Sequence, residues 1–175
     1  MRSRSRSRLP LLTPIVLVAL VLVACGGEAT KDLATLKGDG FSVSMPGKPT
    51  RKVQSVPTAN GTFKAISYTS DSRDKAFSIG YTQLPGGVEG DLHGAIKGGA
   101  ANVGGTVRDE KPTTYQGFKA RDARITGAAD NKGTLFVRAI LAMHRLYLLQ
   151  FIGDGPNLEK APAAYAEIVR SLKID

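Results

Sequence analysis

The chain has 175 residues, a length typical of one domain, and it contains 24 basic and 15 acidic residues for a net charge of +9. Its single cysteine excludes an intramolecular disulfide framework. Four of the basic residues lie in residues 1–8, so 20 basic and 15 acidic residues remain, and the rest of the chain carries only +5.

The first 24 residues have the composition of a signal peptide. Arginine and serine alternate in residues 1–8, and Leu9–Ala24 is apolar apart from Thr13. The run without proline or polar side chains, Ile15–Ala24, is about half as long as the roughly 20 residues that a spanning helix needs. We therefore expect residues 1–24 to be removed on export rather than kept as a transmembrane anchor.

The segment Leu22-Val23-Ala24-Cys25-Gly26 resembles the lipobox of bacterial lipoproteins. The resemblance implies cleavage before Cys25 and diacylglycerol on its sulfur, and two or three acyl chains hold a protein on a membrane essentially permanently. It implies a location on the extracytoplasmic side of an envelope membrane. Gly26 stands where aspartate would signal retention in the inner membrane, so the outer membrane is expected if the organism has one. The alternative is an ordinary secretory signal, whose cleavage would release a soluble protein.

Export would separate the protein from cellular DNA, so we expect no nucleic-acid partner. The basic residues that follow the signal are scattered, and their mild excess fits attraction to anionic lipid headgroups better. Residues 25–39 contain few apolar side chains and are predicted to be a flexible tether between the lipid and the domain.

Residues 40–175 contain no cysteine and are predicted to form one globular domain, which begins with alternating apolar and polar side chains. Asn60-Gly61 is the strongest hairpin signal in the chain. The predicted strands of this part are Phe41–Met45, Arg51–Val56, Thr62–Tyr68 and Lys75–Leu84. Apolar residues then recur at helical spacing between Asp91 and Val103, and two less apolar strands follow at residues 106–113 and 118–126.

The most apolar part of the domain is Thr134–Ile152, interrupted only at His144-Arg145. Strands that are apolar on both faces lie inside a sheet covered on both sides, so this hairpin should be the centre of the fold. The side chains expected to be buried there are Leu135, Val137, Leu141, Leu146, Leu148 and Phe151. A last helix is predicted from about Leu158 to Leu172. The fold class is α+β, a mainly antiparallel sheet with helices packed on it.

Several short segments of residues 40–175 are similar to segments of PsbP-like domains. They are the opening Phe41–Pro49, Arg138 followed by Arg145-Leu146-Tyr147-Leu148-Leu149, and the close Ser171–Ile174. The resemblance implies an α/β/α sandwich that docks to partners or ligands rather than catalysing a reaction. It supplies no catalytic or ligand residue to carry over.

The candidate sites for chemistry are few. His93 and His144 are far apart in sequence, and turn chemistry accounts for Asp71, Asp74, Asp109 and Glu110, so we expect no metal and no cofactor. The residues around Ser78 resemble the nucleophile elbow Gly-x-Ser-x-Gly, but Ser78 lies within an alternating pattern that predicts a strand. The glycines of residues 98–105 follow no strand and do not predict a phosphate loop.

Arg138 is the most unusual polar residue because it lies in the most apolar strand. Three outcomes are open: it pairs with a carboxylate, it points into a groove beside Tyr147 and contacts a ligand, or it is simply exposed. Asp122 and Arg124 are expected to be outward-facing charges.

The leading hypothesis is a non-catalytic binding or adaptor module, monomeric as a domain, whose partner is an envelope protein or a lipid. The alternative is a carrier of lipid or glycolipid with a cavity between sheet and helices. A hydrolase that uses Ser78 is the third hypothesis.

Overall fold

The computed structural model describes residues 33–58, 61–72, 75–86, 89–128, 133–154 and 161–175. The predictions on residues 1–32, which include the signal peptide and Cys25, lie outside the described residues. The same holds for Asp74, Asn60 and Leu158.

Within these ranges the chain forms ten strands and two helices. The first five strands are β1 (Leu33–Gly38), β2 (Phe41–Pro46), β3 (Thr50–Thr58), β4 (Gly61–Ser72) and β5 (Lys75–Gln83). The first helix, α1 (Leu92–Asn102), leads to β6 (Thr106–Tyr115), β7 (Phe118–Gly127), β8 (Gly133–Ala142) and β9 (Arg145–Asp154). The chain closes with α2 (Ala161–Ser171) and β10 (Lys173–Ile174).

Seven strands form one antiparallel sheet in the order β3-β4-β5-β9-β8-β7-β6. The predicted hairpin of β8 and β9 therefore lies at the middle of the sheet, and the hairpin of β3 and β4 is confirmed. A smaller sheet, β1-β2-β10, is also antiparallel. The α+β class with a mainly antiparallel sheet is confirmed.

One face of the large sheet, which we call the aromatic face, is covered by α2 and the small sheet. Phe41 of β2 packs edge-on against Tyr68, Tyr81 and Tyr147, with ring centroids 5.9–6.0 Å apart. Aromatic pairs prefer this arrangement. Tyr147, Leu149 and Phe151 of β9 are at most 1% exposed here.

The opposite face, the α1 face, is covered by α1 over β6, β7 and β8. Leu135 and Val137 are buried here, as predicted, at 4% and 2% exposure. The prediction that the core also includes Leu141, Leu146 and Leu148 is wrong, because these side chains are only partly buried. The reason is that α1 packs over β6, β7 and β8, whereas Leu146 and Leu148 belong to β9 and Leu141 lies near the end of β8.

The predicted flexible tether is wrong for its last residues. Leu33–Gly38 forms β1, which pairs antiparallel with β2 from Leu33 opposite Pro46 to Gly38 opposite Phe41. Leu36 packs against the core of the aromatic face. Asp39, in the turn after β1, forms an ion pair of 3.0 Å with Arg145. Pairing with β2 supplies the order that the composition of this segment alone does not predict.

The predicted helix at residues 91–103 is confirmed as α1. The Asp91 side chain caps it by accepting a hydrogen bond of 2.9 Å from the Gly94 N–H, which satisfies one of the first free donors. Ile96 and Ala100 form its buried stripe. Among the residues that the structure describes, neither helix has the length and apolarity required to cross a bilayer.

Candidate functional site

An open groove of about 540 Å³ lies between α1 and the edge strand β6. Concave sites that gather a few polar groups above apolar side chains are the usual places for ligands. The groove is lined from α1 and the start of β6 by residues that include His93, Lys97, Ala100, Val107, Asp109 and Glu110.

The backbone between α1 and β6 shapes this groove. The Gly105 N–H donates to the Ala100 carbonyl at 2.9 Å, which turns the chain sharply after the helix. A Cβ on Gly105 would lie 2.5 Å from Cγ2 of Ile125, so only glycine lets the turn sit this close to β7. The turn therefore holds the start of β6 directly beside the helix.

A bulge then deforms β6 where it lines the groove. The register with β7 shifts between Arg108 and Lys111, and Asp109 has a φ of 49°. A non-glycine residue with positive φ is uncommon, and bulges re-aim side chains next to functional sites. Here the bulge contains Asp109 and Glu110. Asp109 pairs with Arg124 at 2.6 Å, so the expected outward charge of Arg124 has a partner.

Three side chains form a connected ionic cluster at one end of the groove. Nδ1 of His93 lies 2.8 Å from Oε2 of Glu110, and Nε of Arg121 donates to Oε1 of Glu110 at 2.6 Å. The Glu110 side chain is 12% exposed, whereas that of His93 is 53% exposed. Burial by itself would raise the pKa of Glu110, but the hydrogen bonds from His93 and Arg121 outweigh it and hold that pKa below its usual value.

This geometry fixes the histidine for binding. A carboxylate only accepts hydrogen bonds, so Nδ1 of His93 is the donor and Nε2 remains for an external partner. Lys97 lies one helical turn after His93 on the same groove wall. Within the described ranges, no cluster of three or more His, Cys, Asp or Glu side chains could hold a metal ion.

Sequence reasoning placed His93 in the predicted helix and explained Glu110 by turn chemistry, and so it missed this cluster. The two residues are 17 positions apart, and only the packing of α1 on β6 joins them. The capping Asp91 indicated where the helix starts, but no local signal indicated the bulge that turns Glu110 toward it.

Arg138 binds a carboxylate on the opposite, aromatic face. Its Nε and Nη2 donate to the two oxygens of Asp122 at 2.6 and 2.8 Å, and its guanidinium lies 5.4 Å from the centroid of the Tyr115 ring. Hydrogen bonding to Asp122 raises the pKa of Arg138. The expectation that Asp122 is a solvated outward charge is wrong, since its side chain is only 25% exposed and is bound by Arg138.

Tyr147, the other residue named as a possible ligand contact, is fully buried. Its hydroxyl donates to the Gly40 carbonyl at 3.4 Å, at the turn between β1 and β2. Arg138 and Tyr147 therefore have separate structural partners, and the structure does not join them in one polar groove.

Ser78 lies in the middle of β5, between the buried Phe77 and Ile79. Its hydroxyl accepts a hydrogen bond of 3.4 Å from Thr69 on β4. The strand continues to Gln83, so the sharp strand-to-helix turn of a nucleophile elbow is not found at this position.

The arrangement of the sheets and helices can be compared with solved structures. The solution structure of cyanobacterial PsbP (CyanoP) from Synechocystis matches with a TM-score of 0.58 at 12% identity, over 88% of this chain and 99% of the other. The chain has a PsbP-like fold.

A second solved structure, that of the protein of unknown function PA94 from Pseudomonas aeruginosa, matches this chain less closely. The TM-score is 0.44 at 8% identity, over 82% of this chain and 98% of that one. No family model matches the sequence, and no curated protein resembles it significantly.

Proposed function

We propose that the chain is a lipid-anchored protein of the bacterial cell envelope that acts as a non-catalytic binding module through the groove between α1 and β6. The anchor part of the proposal rests on the lipobox around Cys25. The binding part rests on one observation, the His93–Glu110–Arg121 cluster at the end of the groove.

The cluster favours binding over catalysis because both carboxylate oxygens of Glu110 already accept hydrogen bonds. Its two oxygens accept from His93 and Arg121, and the lowered pKa keeps the carboxylate ionised, so it is poorly suited to exchange protons at neutral pH. Its effect is to hold the imidazole of His93 in one orientation. A fixed Nε2 and the ammonium of Lys97 suit a ligand with a polar or anionic group.

The interior favours a surface ligand over an apolar cargo. The space between the sheet, α2 and the small sheet is filled by large side chains that are at most 1% exposed: Phe41, Met45, Tyr147, Leu149, Phe151 and Leu172. We therefore prefer the groove to a lipid cavity between sheet and helices.

The start of β1 determines how the domain would be held. Leu33 is eight residues after Cys25. Eight extended residues span at most roughly 29 Å, so a lipid on Cys25 would keep the domain within that distance of the membrane surface.

The anchor is tested by Cys25→Ser in the full-length protein, followed by membrane fractionation and mass spectrometry of the intact chain. We expect an unprocessed, unacylated precursor, because no other thiol can accept diacylglycerol. Ala29→Ser is the control and should mature normally. Normal maturation and membrane association of the Cys25 variant would show that the anchor assignment is wrong.

The groove is tested by placing a photo-crosslinking amino acid at Ala101, an exposed residue that lines the groove, and, as a control, at the exposed Lys173 on the other side of the large sheet. In intact cells we expect an adduct specific to position 101 that disappears when His93→Ala is added. The same adducts from both positions, or adducts that persist without His93, would contradict the groove assignment. A stoichiometric lipid besides the anchor, found by extraction of the native protein, would favour the carrier instead.

A further inference from the structure

The two edge strands of the large sheet, β3 and β6, differ in their protection. An edge strand presents unpaired N–H and C=O groups, and proteins normally blunt it with bulges, proline or charge. The β6 edge has its bulge at Asp109 and Glu110 and carries Pro112 within the strand. The β3 edge pairs with β4 in unbroken register from Thr50 to Thr58, and its proline, Pro57, is next to the last residue. Thr50–Val56 is therefore a stretch of edge without bulge or proline, to which another strand can be added.

The side chains of β3 are unusually open. Every side chain from Arg51 to Val56 is exposed, so neither face of this stretch is covered by the helices or the small sheet. Val53 and Val56 are 47% and 38% exposed, and only one further large apolar side chain in the described part of the chain is comparably open. β-branched side chains on a strand stabilise pairing with a similar side chain on an adjacent strand.

The charge of β3 is of one sign. The strand contains Arg51 and Lys52 and no acidic residue, and Lys64 lies opposite Ser55 on β4. In the described part of the chain, none of these three cations takes part in an ion pair. A strand that brings carboxylates to this edge would meet cations without having to displace existing partners.

We propose that the β3 edge binds an extended, acidic segment of a partner protein as an added strand. The main-chain groups of β3 would supply most of the affinity, as in other cases of strand addition. Arg51 and Lys52 would select glutamate or aspartate, and Val53 would select an apolar, β-branched neighbour.

A second copy of this chain fits the edge less well, because β3 contains two cations and no acidic residue. Pairing of two β3 edges would bring like charges onto adjacent strands, which is destabilising. The exposure and the charge of β3 do not depend on the proposed function.

The experiment uses the full-length protein in detergent and follows hydrogen exchange of its backbone by mass spectrometry. The probe is a synthetic peptide that, paired antiparallel with β3, places glutamates opposite Arg51 and Lys52 and valines opposite Val53 and Val56, and the control peptide has lysine in place of glutamate. We expect the Glu–Val peptide to slow exchange in Thr50–Thr58 by about tenfold or more, because added strand hydrogen bonds protect amides. The Lys–Val peptide should have no effect.

The matched variants are R51E/K52E on β3 and K111E on β6, all at exposed positions whose change should leave the fold intact. The β3 variant should abolish the protection, and the β6 variant should keep it. No protection at β3, equal protection by both peptides, or protection that survives R51E/K52E would overturn the proposal. Concentration-dependent protection of β3 without peptide would overturn it in favour of a second copy. Because the readout is local to β3, its outcome is independent of the anchor and the groove.

Discussion

The two faces of the large sheet each carry an ionic cluster. On the aromatic face, Arg138 and Asp122 pair with each other and are partly buried. On the α1 face, the cluster of His93, Glu110 and Arg121 borders the open groove. Arg138 and Asp122 have side chains that are 19% and 25% exposed, and Arg138 lies over the ring of Tyr115. His93 is 53% exposed and only its Nδ1 side is occupied by Glu110. The first cluster pairs two partly buried charges, and the second leaves a fixed nitrogen at the edge of a groove.

The two faces should differ most in how much the free energy of unfolding falls when adjacent leucines of β9 are truncated. Leu149 faces the aromatic side and is 1% exposed, whereas Leu148 faces α1 and is only partly buried. Leu149→Ala should lower the free energy of unfolding by about 2–5 kcal/mol, and Leu148→Ala by about half of that or less. Urea unfolding of the full-length protein in detergent measures both. Equal losses would show that the two faces are equally well packed.

The next largest loss of stability should come from breaking the Arg138–Asp122 pair on the aromatic face. Arg138→Met removes two charge-assisted hydrogen bonds and leaves the Asp122 carboxylate partly buried without its partner. We expect a loss of about 1.5–3 kcal/mol in the free energy of unfolding. The double variant Arg138→Met, Asp122→Leu should recover part of this loss, because no unpaired charge remains. Lower ligand binding at unchanged stability would instead assign Arg138 to a site.

A smaller effect is expected at the segment that composition assigned to a tether. Leu36→Ala should cost about 1 kcal/mol, because the side chain is partly buried against the core of the aromatic face. Ala34→Ser, at an exposed position of the same strand, is the control and should change the melting temperature little. If Leu36→Ala behaves like its control, β1 does not contribute to the packed domain.

These contrasts show what the sequence can predict. The β8–β9 hairpin was predictable because both faces of each strand are apolar, and α1 because Leu92, Ile96 and Ala100 recur at helical spacing. β1 was not predictable, because it has only two leucines in six residues and gains its order by pairing with β2.

The groove cluster was beyond sequence reasoning for a related reason. His93 and Glu110 meet only because a helix packs on an edge strand and a bulge redirects one side chain. The pairing of Arg138 with a carboxylate was one of three alternatives, and the register of β7 with β8 selects Asp122 as the partner.

The smallest effect should be the pH dependence of the open cluster. The pKa of Glu110 is lower in the folded protein than its ordinary value of 4.5, so the folded state favours the ionised carboxylate. Its contribution to stability is therefore complete above about pH 4.5 and is lost as the pH falls through the folded pKa. Because His93 and Arg121 are partly solvated, we expect this contribution to be below about 1 kcal/mol.

Glu110→Gln isolates that contribution, since glutamine keeps the shape of the side chain without the titrating group. At pH 6 the variant should be slightly less stable than the parent protein in urea, and the difference should shrink as the pH falls below about 4.5. Glu167→Gln on α2 should give no such trend, because no ion pair involves Glu167 in the described part of the chain. A stability difference between Glu110→Gln and the parent that stays constant down to pH 3 would mean that packing, rather than the charge held by His93 and Arg121, accounts for the role of Glu110. The orientation of His93 in the groove would then need another cause.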